Sequence, residues 1–86
     1  MKSYNNLPNI DLHGIDRDYA KILVRDFIND QVLLKEDRII IIHGIGKGIV
    51  KKAVHEELKN NKFVKDYKLD NFNSGCTIVD LRIKKL

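Results

Sequence analysis

Residues 38–48 read Arg-Ile-Ile-Ile-Ile-His-Gly-Ile-Gly-Lys-Gly. Isoleucine is β-branched and stiff at χ1, so residues 38–43 read as a strand with the pattern of one buried on both faces. Gly44, Gly46 and Gly48 end the strand in a turn, after which Ile49, Val50, Ala53, Val54 and Leu58 recur at helical spacing. Asn60 and Asn61 suit the end of that helix. Upstream, residues 9–13 alternate Ile10 and Leu12 with Asp11 and His13 and stop at Gly14, the pattern of a short half-buried strand. Asp16 then stands at an N-cap position before a stripe of Ala20, Leu23, Val24, Phe27 and Ile28, a helix ending near Lys35. Downstream, residues 63–69 and 77–83 read as two strands joined by the turn-rich residues 70–75.

The order is therefore β-α-β-α-β-β. It specifies an α/β (α+β) two-layer sandwich, a four-stranded mixed sheet with two helices on one face. Each strand-helix-strand passage implies parallel neighbours joined by a right-handed crossover, and the last two strands form an antiparallel hairpin. One sheet face stays partly open, so Ile39 and Ile41 are expected as an apolar strip, exposed or covered by a partner. Residues 1–8 are polar and include the only proline, Pro8; they read as a tail or the end of a linker, with a single domain over residues 9–86. A chain of 86 residues has room for one core, and at that size folding buries roughly 60 to 65% of the surface the unfolded chain exposes.

The basic surplus is unevenly placed. Residues 1–42 carry six Lys/Arg against seven Asp/Glu, whereas residues 43–86 carry ten against five. A half with net charge +5 suits a polyanionic partner, whose condensed counterions are released on binding; it also suits a solvated face kept for solubility. Cys76 is the single cysteine, so neither an internal disulfide nor a thiolate metal cluster can form, and a reducing cytoplasm is the expected setting. The N-terminus lacks the apolar segment of a signal peptide, and the longest aliphatic run is far too short to span a bilayer, so no membrane partner is expected.

Both glycine turns fall at the carboxyl ends of the first two strands, where open α/β sheets place their ligand crevice. In the second turn Gly44, Gly46 and Gly48 let the backbone approach a ligand closely with converging N–H groups, the following helix adds its free N–H groups, and Lys47 adds a full charge. That combination favours a phosphate, although the spacing matches neither a Walker A loop nor the GxGxxG fingerprint, and a flexible strand-to-helix turn is an equally good reading. Lys51 and Lys52 lie one turn further on, placed to follow a nucleic-acid backbone or simply to be solvated. In the first turn Asp11 and His13 are two apart on a strand and share a face, with Leu12 directed into the core. A histidine beside a carboxylate can move protons at neutral pH, and a polar pair on a solvated face is the alternative. His43 is either a second acid or base or a cap on its own loop. His55 has no partner in the pattern, Cys76 reads as a small core residue, and Tyr4, Tyr19 and Tyr67 are too scattered to form a base-stacking platform.

Taken together, Asp-Leu-His-Gly at 11–14, His-Gly-Ile-Gly-Lys-Gly at 43–48 and Gly-Cys-Thr-Ile-Val-Asp-Leu at 75–81 make the chain resemble the Smr family over about residues 9–83. These small MutS-related domains occur alone or at the C-terminus of bacterial MutS paralogues. The resemblance implies a βαβαββ fold similar to the C-terminal domain of a bacterial translation initiation factor, and an association with nicking or cleaving DNA or RNA, in some members on stalled ribosomes. It implies Asp11 and His13 as the catalytic pair, and His43, Gly44, Gly46 and Gly48 as the nucleic-acid-binding loop. Some members carry arginine in place of the first-motif histidine; this chain keeps His13.

Two function classes follow. The first is an endonuclease acting on RNA or DNA, in which the loop and Lys47 hold a phosphodiester while His13, oriented by Asp11, serves as general base or acid. The second is a non-catalytic module that binds nucleic acid or the ribosome through its basic half. Asp11, His13 and either Asp16 or His43 are donors for a divalent ion, but no carboxylate cluster of the kind two-metal nucleases use is present, so no cofactor is expected. The pattern carries no sign of oligomeric state.

Overall fold

The computed structural model describes residues 6–84. Its elements are β1 (Asn9–Asp11), α1 (Arg17–Leu33), β2 (Arg38–Ile42), α2 (Ile49–Asn60), β3 (Val64–Leu69) and β4 (Cys76–Leu81). The expected order and element types are all present, in a four-stranded mixed sheet with two helices.

Spatial order in the sheet is β1-β2-β4-β3, with β1 parallel to β2 and β4 antiparallel to both its neighbours. The expectation that both crossovers join adjacent parallel strands therefore holds for the first and fails for the second, because β4 lies between β2 and β3. The side chains explain the insertion. β4 is buried at all positions but Asp80 and belongs in the centre, whereas β3 exposes Lys65, Asp66 and Lys68 and is suited to an edge. A register shift between Val64 and Asp66 further bends that edge strand.

The parity of the isoleucine run is the reverse of the expected one. Ile39 and Ile41 are fully buried with Val24 and Ile28 of α1, Val54 and Leu58 of α2, and Val79 and Leu81 of β4. The other face carries Ile40, which clusters with Leu7 and Cys76, and Ile42 packs against that cluster. The N-terminal segment covers the strip: the Ile40 N–H donates to the Pro8 carbonyl over 2.9 Å, and Leu7 is buried on Ile40. Of the stretch read as a tail, residues 1–5 lie outside the described residues.

Asp16 caps α1 as its position implied, Oδ2 accepting from the N–H groups of Asp18 (3.1 Å) and Tyr19 (3.2 Å). At the other end the Lys35 N–H donates to the Val32 carbonyl and the Glu36 N–H to the Gln31 carbonyl, a Schellman closure. Its left-handed position holds Lys35 at φ 60° instead of the usual glycine. Lys21 to Glu56 (2.8 Å) and Arg25 to Glu57 (2.9 Å) tie α1 to α2 across their solvent edge. No helix among the described residues is long and apolar enough to cross a membrane.

Candidate functional site

Strand alternation positions the first pair. Ile10 and Leu12 pack into the core beneath the helices, which turns Asp11 and His13 to the opposite face of the sheet. The His13 Nδ1 lies 2.6 Å from Asp11 Oδ1, and the same oxygen accepts the His13 backbone N–H at 3.1 Å. A carboxylate accepts only, so Nδ1 carries a proton, and in the neutral ring it is Nε2 that holds the lone pair. Both bonds to His13 favour the charged carboxylate and hold Asp11 below the ordinary aspartate value. The His13 side chain is 73% exposed.

The second turn lies directly against the first. Gly44 adopts φ +86°, and a β-carbon there would come within 3.0 Å of the His13 Cβ, so only a glycine lets the loop pack so closely on the histidine. Gly46 (φ +121°) and Gly48 (φ +78°) also adopt left-handed backbone. Gly48 is the N-cap of α2 and brings no side chain to cap it, so the first N–H groups of the helix have no capping side chain. The Gly75 carbonyl accepts from both the His43 N–H (2.9 Å) and the Gly44 N–H (3.0 Å), which pins the start of the loop to the β3–β4 turn.

Between the turns lies a cleft of about 500 Å³, whose walls include His13, Gly44, Lys47, Gly48 and Lys51. Lys47 is exposed, and the Lys51 side chain folds back to within 3.9 Å of where a Gly48 β-carbon would stand. Lys52 turns instead into a second groove, between α1 and α2, with Arg17, Lys21 and Glu56. Asp11, His13, His43, Gly44, Gly46, Lys47, Gly48 and Lys51 therefore belong to one end of the sheet, whereas Lys52 turns away from the cleft.

His43 is not a free acid or base in this arrangement. It is 3% exposed, its Nδ1 is 3.0 Å from the Gly44 carbonyl, and its Nε2 is 2.8 Å from Thr77 Oγ1. The carbonyl only accepts, so Nδ1 donates, Nε2 accepts the Thr77 hydroxyl proton, and the Thr77 oxygen accepts from His55 Nε2, also at 2.8 Å. Burial and the nearby Lys51 charge lower the pKa of His43, and burial, His43 and Lys51 lower that of His55, consistent with two neutral rings. The chain His43-Thr77-His55 braces the glycine loop against β4 and α2. His55, which the pattern left without a partner, finds one in Thr77. Thr77 itself was not singled out, although a polar residue at an inward position between Cys76 and Ile78 was a signal for a buried partner.

Among the described residues no group of three or more His, Cys, Asp or Glu side chains is assembled to hold a metal ion. Asp16 is engaged as the cap of α1. Burial raises the pKa of the Cys76 thiol, with Asp70 and Asp11 adding to the rise, so it is a packing residue rather than a nucleophile.

A model of the Smr domain matches residues 10–82, from the strand that carries Asp11 to just past β4. The chain belongs to the Smr domain family. Two relatives called endonuclease MutS2 are similar to it. That of Caldanaerobacter subterraneus subsp. tengcongensis is 34% identical over 77 residues, covering 86% of this chain and 10% of the relative. That of Clostridium botulinum (strain Eklund 17B / Type B) is 36% identical over 76 residues, 85% of this chain and 10% of the relative. This Smr domain thus spans about a tenth of the length of the curated relatives it matches. Among solved structures, the Smr domain of Thermus thermophilus MutS2 superposes with a TM-score of 0.85 at 25% identity, covering 88% of this chain and 99% of that one. YdaL, a stand-alone small MutS-related protein from Escherichia coli, shares the fold with a TM-score of 0.81 at 24% identity, over 86% of this chain and 63% of that one.

Proposed function

We propose that this Smr domain binds RNA or DNA at the glycine cleft and cleaves a phosphodiester held there. The observation that carries the reading is the contact between Gly44 and His13, which sets a phosphate cradle against a base whose second nitrogen is free. The N–H groups of the loop beyond Gly44, whose own N–H is held by the Gly75 carbonyl, together with the N-terminus of α2 and Lys47, bind the phosphate and offset charge developing on its oxygens. His13 Nε2 takes the proton from the attacking oxygen, and Asp11, hydrogen-bonded to Nδ1, fixes the tautomer and stabilises the imidazolium that forms. In RNA the attacking oxygen is the ribose 2′-hydroxyl: its bond to phosphorus forms as the bond to the 5′-oxygen breaks, and the departing oxygen takes a proton from water or Lys47. In DNA the nucleophile is water. The relatives' name, endonuclease MutS2, supports the reading.

Incubation with end-labelled RNA and DNA, with and without Mg²⁺, tests it through the chemistry of the product ends. A 2′,3′-cyclic phosphate identifies the 2′-hydroxyl route and a 5′-phosphate identifies activated water. Intact substrates together with salt-sensitive binding would favour the second reading, a module that binds nucleic acid or the ribosome without cutting. The solvent exposure of His13 favours that second reading, because proton transfer is most effective where water is excluded.

A further inference from the structure

Phe72 is 95% exposed, the most exposed large apolar side chain among the described residues. Nothing in the fold calls for an aromatic there. The turn is closed by its backbone and by polar side chains: Phe72 N–H to Asp70 Oδ1 (3.0 Å), Gly75 N–H to Asn73 Oδ1 (2.9 Å), Asp70 N–H to the Cys76 carbonyl (3.0 Å) and Cys76 N–H to the Asn73 carbonyl (3.0 Å). The same turn is fastened to the glycine loop. The Gly75 carbonyl holds the His43 and Gly44 N–H groups, and a β-carbon on Gly75 would lie 3.3 Å from both the Gly44 carbonyl carbon and the Ile45 side chain. Ile45, itself 81% exposed, brings a second apolar surface to this end of the sheet. One bare apolar side chain, Ile45, thus stands within the loop that carries Lys47 and lines the cleft with Lys51, and the other, Phe72, stands on the turn pinned to the start of that loop.

A ligand matching that surface combines negative charge with flat apolar faces, which is the chemistry of a nucleotide. Within a duplex each base is already stacked on both faces, whereas an unpaired base offers a free face to an aromatic ring. We propose that Phe72 stacks on a base next to the phosphate in the glycine cleft, so that the site takes a nucleic-acid segment unpaired at that position. The inference rests on the reading of the cleft as a phosphodiester site. It assigns Phe72 the choice of unpaired over paired substrate, while the cleft itself binds the backbone of either.

The test compares the parent, Phe72→Ala, Phe72→Tyr and Lys47→Glu in anisotropy titrations with a labelled single-stranded oligonucleotide and with its full duplex, as RNA and as DNA. Because Phe72 is bare, Phe72→Ala is expected to keep the parent's thermal midpoint. It should bind the single strand on the order of tenfold more weakly, leave duplex affinity unchanged, and be rescued by Phe72→Tyr. The Phe72 ring-proton resonances of the parent should also move upfield when the single strand is added. Equal single-strand affinity in Phe72→Ala and the parent, with Lys47→Glu weakened, overturns the stacking role alone and leaves the exposed ring to a protein contact. An equal loss on single strand and duplex also overturns it. If Lys47→Glu binds as the parent does, or the parent binds no oligonucleotide, the phosphodiester reading fails and the stacking role with it.

Discussion

Gly44 packs on His13 so closely that a β-carbon on the glycine would stand 3.0 Å from that of the histidine. This contact joins a loop at the end of β2 to a side chain at the end of β1, which the parallel pairing of Asp11 with Ile42 brings side by side. Gly44→Ala has two costs, a left-handed backbone at φ +86° and displacement of His13. The backbone alone should lower stability by about 1–2 kcal/mol, read as a lower midpoint in urea. Displacement of the ring should lower cleavage further than binding. A variant with parent stability and parent cleavage would show that the contact is incidental.

His13→Ala and Asp11→Asn separate chemistry from binding. Neither residue is buried, and alanine keeps the His13 β-carbon against which Gly44 packs, so both variants should fold and bind oligonucleotide as the parent does. Loss of a positioned general base should slow single-turnover cleavage by roughly 10²–10⁴-fold. Asp11→Asn should be the milder change, since an amide can still hold the ring through its oxygen but cannot stabilise the imidazolium. Cutting at the parent rate by His13→Ala would remove the histidine from the mechanism.

Lys35 offers a test of the fold alone. It occupies the left-handed position of the closure after α1 at φ 60°, where a side chain is strained and glycine is not. Lys35→Gly should raise stability by up to about 1 kcal/mol, the left-handed strain being partly offset by the greater freedom of glycine in the unfolded chain. The site lies at the far end of α1, so nucleic-acid binding should not change. A fall in the urea midpoint would mean that the lysine side chain contributes more than the strain costs.

Element order and the Asp11-His13 pair were legible in the sequence because both depend on neighbours a few residues apart. Alternation from Ile10 to His13 fixes which side chains share a face, and Asp16 announces the start of α1. The isoleucine run has no alternation, so nothing local distinguishes Ile39 and Ile41 from Ile40 and Ile42. The choice is made by the helices on one side and by Leu7 on the other. Likewise the place of β4 between β2 and β3 is a tertiary outcome, hinted at only by the charges on β3. The His43-Thr77-His55 chain joins residues 22 and 34 positions apart, beyond the reach of any spacing rule.

Thr77→Val keeps the shape of the side chain and removes its hydroxyl. His43 Nε2 then loses its donor and His55 Nε2 its acceptor, in the interior beside the glycine loop. Stability should fall by about 1–3 kcal/mol. Because His43 caps Gly44 through the other nitrogen, affinity for single-stranded oligonucleotide should fall as well. If stability drops while affinity stays, the chain supports β4 and not the loop.

The same pair of rings sets a pH dependence. Burial is the main cause lowering both His43 and His55 below the ordinary histidine value of 6.5. In a lowered histidine the folded state prefers the neutral ring, so well above 6.5 both states are unprotonated and the full stability is present. As the pH falls below that value the unfolded chain takes up protons first, and stability declines until the folded rings protonate in turn. The carboxylates whose pKa is lowered, Asp11 and Glu56, start from ordinary values of 3.8 and 4.5 and titrate below this window. Urea midpoints of the parent should therefore fall between about pH 7 and pH 5, and the fall should shrink in His55→Gln, which can still donate to Thr77 but does not titrate. A midpoint that stays flat across that interval would show that the rings are no harder to protonate in the fold than in the unfolded chain.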